Sequence, residues 1–153
     1  MKKISEHISY KEGMHSNTAL RRGLDNTPGP EQLKCMMEIG RDLFEPLREW
    51  VGGPIKITSM FRGEPVNTAI GGSKNSQHMK GQALDLDDTY GHKTNAEMYH
   101  YIKDNLTFDQ LIWEFGTDEN PNWIHMSYVT HRENRKRLTI AKKVNGRTRY
   151  VHE

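Results

Sequence analysis

Apolar positions recur at threes and fours between residues 33 and 50: Leu33, Met36, Met37, Gly40, Leu43, Phe44, Leu47 and Trp50. That period lays one continuous stripe along a helix. Pro30 suits the first turn of such a helix, and Gly52-Gly53-Pro54 ends it. Pro46 falls inside the stripe, where its missing backbone donor predicts a kink or a break. Upstream, Ser16-Asn17-Thr18 offers caps for a short helix to Arg22 or Gly23, closed by the turn Asp25-Asn26-Thr27-Pro28-Gly29. From Ile55 to Phe61 the period changes to two, as in a strand with one buried face. Residues 64–70 predict a helical turn, 73–82 an ordered polar loop and 82–86 a second strand. Thr94 or Asn95 caps a helix to Leu106, with Met98, Tyr101 and Ile102 inward. Phe108 to Phe115 and Trp123 to Val129 read as strands joined by the polar loop 116–122. Leu138 to Val144 and Arg147 to Val151 flank Asn145-Gly146, the strongest short-range hairpin signal in the chain. The sum is an α+β architecture, a small and mainly antiparallel sheet with helices packed on one side. No repeat or linker interrupts the 153 residues, so one domain is expected over 1–153.

Three polar residues stand out from this frame. His78 precedes Asp85 in a stretch rich in small residues, and His125 sits in the alternating run Trp123-Ile124-His125-Met126-Ser127. Two imidazoles and one carboxylate are the minimum set for a catalytic zinc, leaving a fourth position for water. Such a set could hold zinc on the open face of the sheet, with ligands from a loop, a neighbouring strand and a later strand, though the His78 to Asp85 spacing by itself is a poor metal predictor. His7, His15, His92, His100, His131 and His152 lack this setting and read as surface or supporting groups. Cys35 is the single cysteine, which excludes an intramolecular disulfide and a cysteine zinc finger. Its place in the helical stripe predicts a buried thiol, and Met36 and Met37 read as core filler. With 34% hydrophobic residues the core should be modest.

The motifs Ile57-Thr58-Ser59-Met60-Phe61-Arg62, Asn67, Gly71-Gly72, Ser76-Gln77-His78 through Asp85, Leu111-Ile112-Trp113-Glu114 and Trp123 to Ser127 occur in one order. Together they resemble the D-alanyl-D-alanine carboxypeptidase-like zinc peptidases, which share a fold with the hedgehog signalling domain. Asp25-Asn26-Thr27-Pro28 before a helix is similar to the branch found in phage lysins and bacterial cell-wall enzymes. The resemblance spans roughly residues 4 to 130. It implies zinc-dependent hydrolysis of peptide bonds in peptidoglycan stem or cross-bridge peptides, endolysin-like, with His78, Asp85 and His125 on the metal. A D-alanyl-D-alanine carboxypeptidase or dipeptidase, or a non-catalytic zinc-bearing binding module, is the alternative. A zinc peptidase also needs a proton acceptor. Glu114, at the end of an apolar strand, is the candidate, with Glu119 in the following loop as second choice. Position 122 is Asn, where the D-Ala-D-Ala dipeptidases carry Glu in Glu-x-x-His. Arg62, directly after a strand, is the expected oxyanion or carboxylate partner. Ser59, Asn67, Ser76 and Gln77 read as loop-ordering groups, and His92 as a candidate acid.

Charge refines the picture of partners. The chain is nearly balanced at +2, but Thr130 to Glu153 holds eight Lys/Arg against two acids. That segment is about +6 and the remainder about −4. Such a basic hairpin could contact anionic cell wall, or serve only to protect a sheet edge. With Tyr150 alone interleaved among the cations, it does not point to nucleic acid. No segment has transmembrane length, and Met1-Lys2-Lys3-Ile4-Ser5-Glu6-His7 has no apolar signal region. The expectation is synthesis in the cytoplasm and action at the cell wall, reached by a holin or another export route.

Overall fold

The structure, a computed structural model, describes residues 2–153. Six strands form one sheet in the order β3 (Lys56–Ser59), β4 (Ala83–Asp87), β6 (Trp123–Ser127), β5 (Gln110–Glu114), β7 (Arg137–Val144) and β8 (Arg147–His152). All neighbours are antiparallel except β5 and β7. A small hairpin, β1 (Lys3–Ser5) with β2 (Ile8–Ser9), precedes them and seals the core with Ile4 and Ile8. The helices are α1 (Tyr10–Met14), α2 (Asn17–Arg22), α3 (Pro30–Ile39), α4 (Glu45–Val51), α5 (Glu64–Ala69) and α6 (Asn95–Asn105).

Alternation along the strands separates the two faces of the sheet. Leu84, Leu86, Leu111, Ile124 and Met126 are fully buried against Met36, Ile39, Leu43, Phe44 and Leu47 of the long helical run and Met98 and Ile102 of α6. The opposite face carries Asp85, His125, Ile112, Glu114 and Thr139 and borders an open cleft. This is the α+β arrangement expected from the pattern.

Local signals explain the elements. Ser16 Oγ accepts from Ala19 N at 3.1 Å to open α2, and Gly23 closes it in the left-handed region. Thr94 and Glu97 form a reciprocal capping box at the start of α6. Asn145 and Gly146 both have positive φ, 53° and 76°, as a tight hairpin turn requires.

The helix at Pro46 neither kinks sharply nor stops. One widened π turn, Gly40–Phe44, joins α3 to α4, with Glu45 N bonded to Gly40 O just before the proline that cannot donate. The buried stripe also differs from the expected one. Ile39 and Val51 are inside it, whereas Met37 is 41% exposed and is not core filler. Cys35 is half-buried rather than fully enclosed.

Candidate metal centre

His78 lies in a 3-10 turn, Gln77–Lys80, that ends at Gly81 with φ +73°. A Cβ at Gly81 would stand 2.3 Å from the carbonyl oxygen of Gln32, so only glycine lets this turn close against α3. The turn leaves His78 3% exposed, with Nδ1 2.7 Å from the carbonyl oxygen of Met60. A carbonyl only accepts, so the proton sits on Nδ1 and Nε2 is left with a free lone pair. That nitrogen is 3.2 Å from Asp85 Oδ2.

Asp85 and His125 are direct partners across β4 and β6, which puts their side chains on one face. His125 Nδ1 lies 3.0 Å from Asp85 Oδ1. One ligand atom from each of His78, Asp85 and His125 lies within 4.8 Å of the others. Burial alone would raise the Asp85 carboxyl, but the two neighbouring imidazoles of His78 and His125 outweigh it and hold the group well below the usual carboxylate range. Two imidazole nitrogens and an ionised carboxylate converging on one point fit a zinc ion by donor type and number. A Glu6, His7 and Glu45 cluster also brings ligand-type atoms together, but there His7 and Glu45 bond each other at 2.6 Å and tie the β1–β2 hairpin to α4.

Glu114 ends β5 because Phe115 turns into left-handed backbone, φ 58°. It lies on the same face as Ile112, whose cross-strand partner is His125. Burial pushes its carboxyl up to about 7, with His125 opposing the rise and the Asp85 charge adding to it. A carboxyl poised there exchanges protons near neutrality. Glu119 is exposed in the loop beyond and lies outside the cleft. His92 packs against Gly53 at a separate small pocket, also away from the cleft.

Arg62 projects into the cleft from the end of β3. Its Nε donates to Asn67 Oδ1 at 3.1 Å and its Nη2 to Ser76 Oγ at 3.2 Å. Asn67 also holds the loop through Ser73 O, and Gly72 is required beside it, since a Cβ would lie 2.1 Å from Asn67 Oδ1. Buried Asn26 stitches the chain on both sides of Arg62, donating to Phe61 O and accepting from Gly63 N. Of the groups expected to order loops, Asn67 and Ser76 do so around this arginine, while Gln77 bonds Asp109.

Sequence reasoning passed over Asp109. It is wholly buried and accepts from Arg132 and Arg135, and from Gln77 Nε2 at 3.0 Å. An acid between Phe108 and the strand Gln110–Glu114, with a basic segment to follow, was the available signal. Through it the link from β6 to β7 is pinned next to the His78 turn. His131 and His152, read as surface or supporting groups, are exposed and border the same cleft, whose volume is about 900 Å³.

The Ser76 hydroxyl accepts from Arg62 and from the His78 amide. The three converging ligand atoms could hold a catalytic ion, which is the arrangement that defines the metallopeptidases. The family model described as Peptidase M15 matches residues 6–127. The chain belongs to that family, the zinc-dependent D-Ala-D-Ala carboxypeptidase-like peptidases. No curated protein matches the chain. Among the described residues no helix is long and apolar enough to cross a membrane.

Proposed function

We propose that the protein hydrolyses peptide bonds in peptidoglycan stem or cross-bridge peptides, endolysin-like, with zinc held by His78, Asp85 and His125. The observation that carries this reading is the convergence of those three ligand atoms within 4.8 Å, in a cleft that also holds Glu114 and Arg62. Zinc bound there supplies Lewis acidity, acidifying a water and polarising a carbonyl. Met60 O keeps His78 in the tautomer that offers Nε2. Glu114 takes the proton of the attacking water and returns it to the departing amine. Arg62, anchored by Asn67 and Ser76, retains Nη1 to meet negative charge developing on the carbonyl oxygen.

Across the sheet the cleft continues on both sides of the ligand trio, towards Arg62 and Gly72 and towards Tyr150 and His152. That openness favours cleavage inside a peptide over removal of a terminal residue. Mass spectrometry of digested peptidoglycan tests the reading: new internal amine and carboxyl ends are expected. Release of terminal D-alanine alone would replace it with a carboxypeptidase, and intact peptides beside a zinc-loaded protein would reduce it to a binding module.

A further inference from the structure

The family match ends at Ser127, yet the cleft does not. From β6 the chain crosses the end of the sheet and returns as β7, parallel to β5. On the way it delivers His131, Arg132 and Arg135 to the cleft, and β8 adds Tyr150 and His152. The crossing is held by Asp109. Arg132 reaches it through Nη1 and Nη2 at 2.7 and 3.1 Å, and Arg135 through Nε and Nη2 at 3.1 and 2.7 Å. Two guanidinium groups face one carboxylate, so the cluster keeps a surplus positive charge. Arg135 Nη1 has no hydrogen-bond partner among the described residues, and both arginine side chains remain about two-fifths exposed, at 39% and 43%. Lys80 and His131 stand on the same cleft, while Asp85 and Glu114 are the only acids among its described lining residues.

We propose that this segment is a specificity wall: Arg135, braced by Asp109, and His131 on the same cleft bind a carboxylate of the substrate peptide away from the bond being cut. The inference rests on the peptidase reading, which names a peptide rich in free carboxylates as substrate. A planar guanidinium with an unused edge matches a carboxylate in geometry as well as charge. Thr139 Oγ1, 2.9 Å from His152 Nδ1, fixes the neighbouring ring and gives the wall a defined shape.

The test uses zinc-loaded protein carrying Glu114→Gln, which binds without turnover. Stem peptides are compared as free carboxylates and as the matching amides by equilibrium binding. The acid form should bind about tenfold more tightly, the scale of one charge-assisted pair. Adding Arg135→Ala should bring that preference below about twofold. His131→Ala, which touches no bond to Asp109, should reduce it severalfold in a protein of unchanged thermal stability. Equal binding of acid and amide by the Glu114→Gln protein overturns the wall, as does a preference that survives both substitutions. Hydrolysis by the parent protein is read separately. Hydrolysis without preference sinks the wall alone, and preference without hydrolysis sinks the peptidase reading alone.

Discussion

Two aspartates organise the cleft, each flanked by two basic side chains, and they do opposite things. Asp85 meets His78 and His125 at 3.2 and 3.0 Å. Asp109 meets Arg132 and Arg135, both at 2.7 Å. Imidazole can present a lone pair, so the first trio still has room for a cation. Guanidinium only donates and stays protonated, so the second trio is already a closed ion pair and can add only an anion. The partner's chemistry, not the carboxylate, decides whether a buried aspartate becomes a metal ligand or a brace.

The largest expected effect separates the two trios directly. His78→Ala should lose bound zinc, seen by metal analysis, and peptidase activity should fall to background. Zinc retained at parental stoichiometry would remove His78 from the centre. Arg135→Ala should leave zinc content untouched.

Glu114→Gln comes next. Turnover should fall by about 10²- to 10⁴-fold, the usual range for one proton-transfer group, while zinc stays bound. Parental turnover in this variant would move the base elsewhere. Chelation should abolish activity and added zinc should restore it.

On the Asp109 side the effect is on stability. Asp109→Ala should cost about 2–3 kcal/mol in denaturant unfolding, from the lost charged hydrogen bonds, and should expose residues 130–137 to protease. The pH dependence has a definite sign. Burial would raise the Asp109 carboxyl, but Arg132, Arg135 and Gln77 hold it far below the ordinary range. A depressed carboxylate stabilises the fold above about pH 4, its unfolded value, and that contribution fades as pH falls further. Asp109→Asn should therefore flatten the acid limb of the stability curve. An unchanged limb would show that Asp109 does not carry it.

The smallest effect is a control. Glu119→Gln should alter turnover by less than about twofold, because Glu119 is exposed outside the cleft. A large loss would exchange the roles given to Glu114 and Glu119.

The same contrast explains what could be read from sequence. Strand alternation sets the facing of Asp85 and His125, and the ordered motifs that resemble the zinc peptidases marked His78 in its loop, so the candidate trio was legible beside the strands. Thr94 with Glu97 and Asn145 with Gly146 were equally local signals. The Asp109 brace was not, because it joins residues 23 and 26 positions apart through a parallel pairing that no short pattern encodes. The N-terminal hairpin escaped notice because β2 is only two residues long. Met37 was misplaced because a regular period cannot show which flank a π turn favours.

The bond from His78 Nδ1 to Met60 O has an evolutionary consequence. Its acceptor is main chain, so no exchange of side chain at position 60 can delete it. Drift can alter the packing of that methionine, yet the ring keeps its tautomer as long as the chain after β3 keeps its path. The orientation of this histidine is thus inherited with the backbone, and only insertions, deletions or an amide-to-ester replacement would reach it.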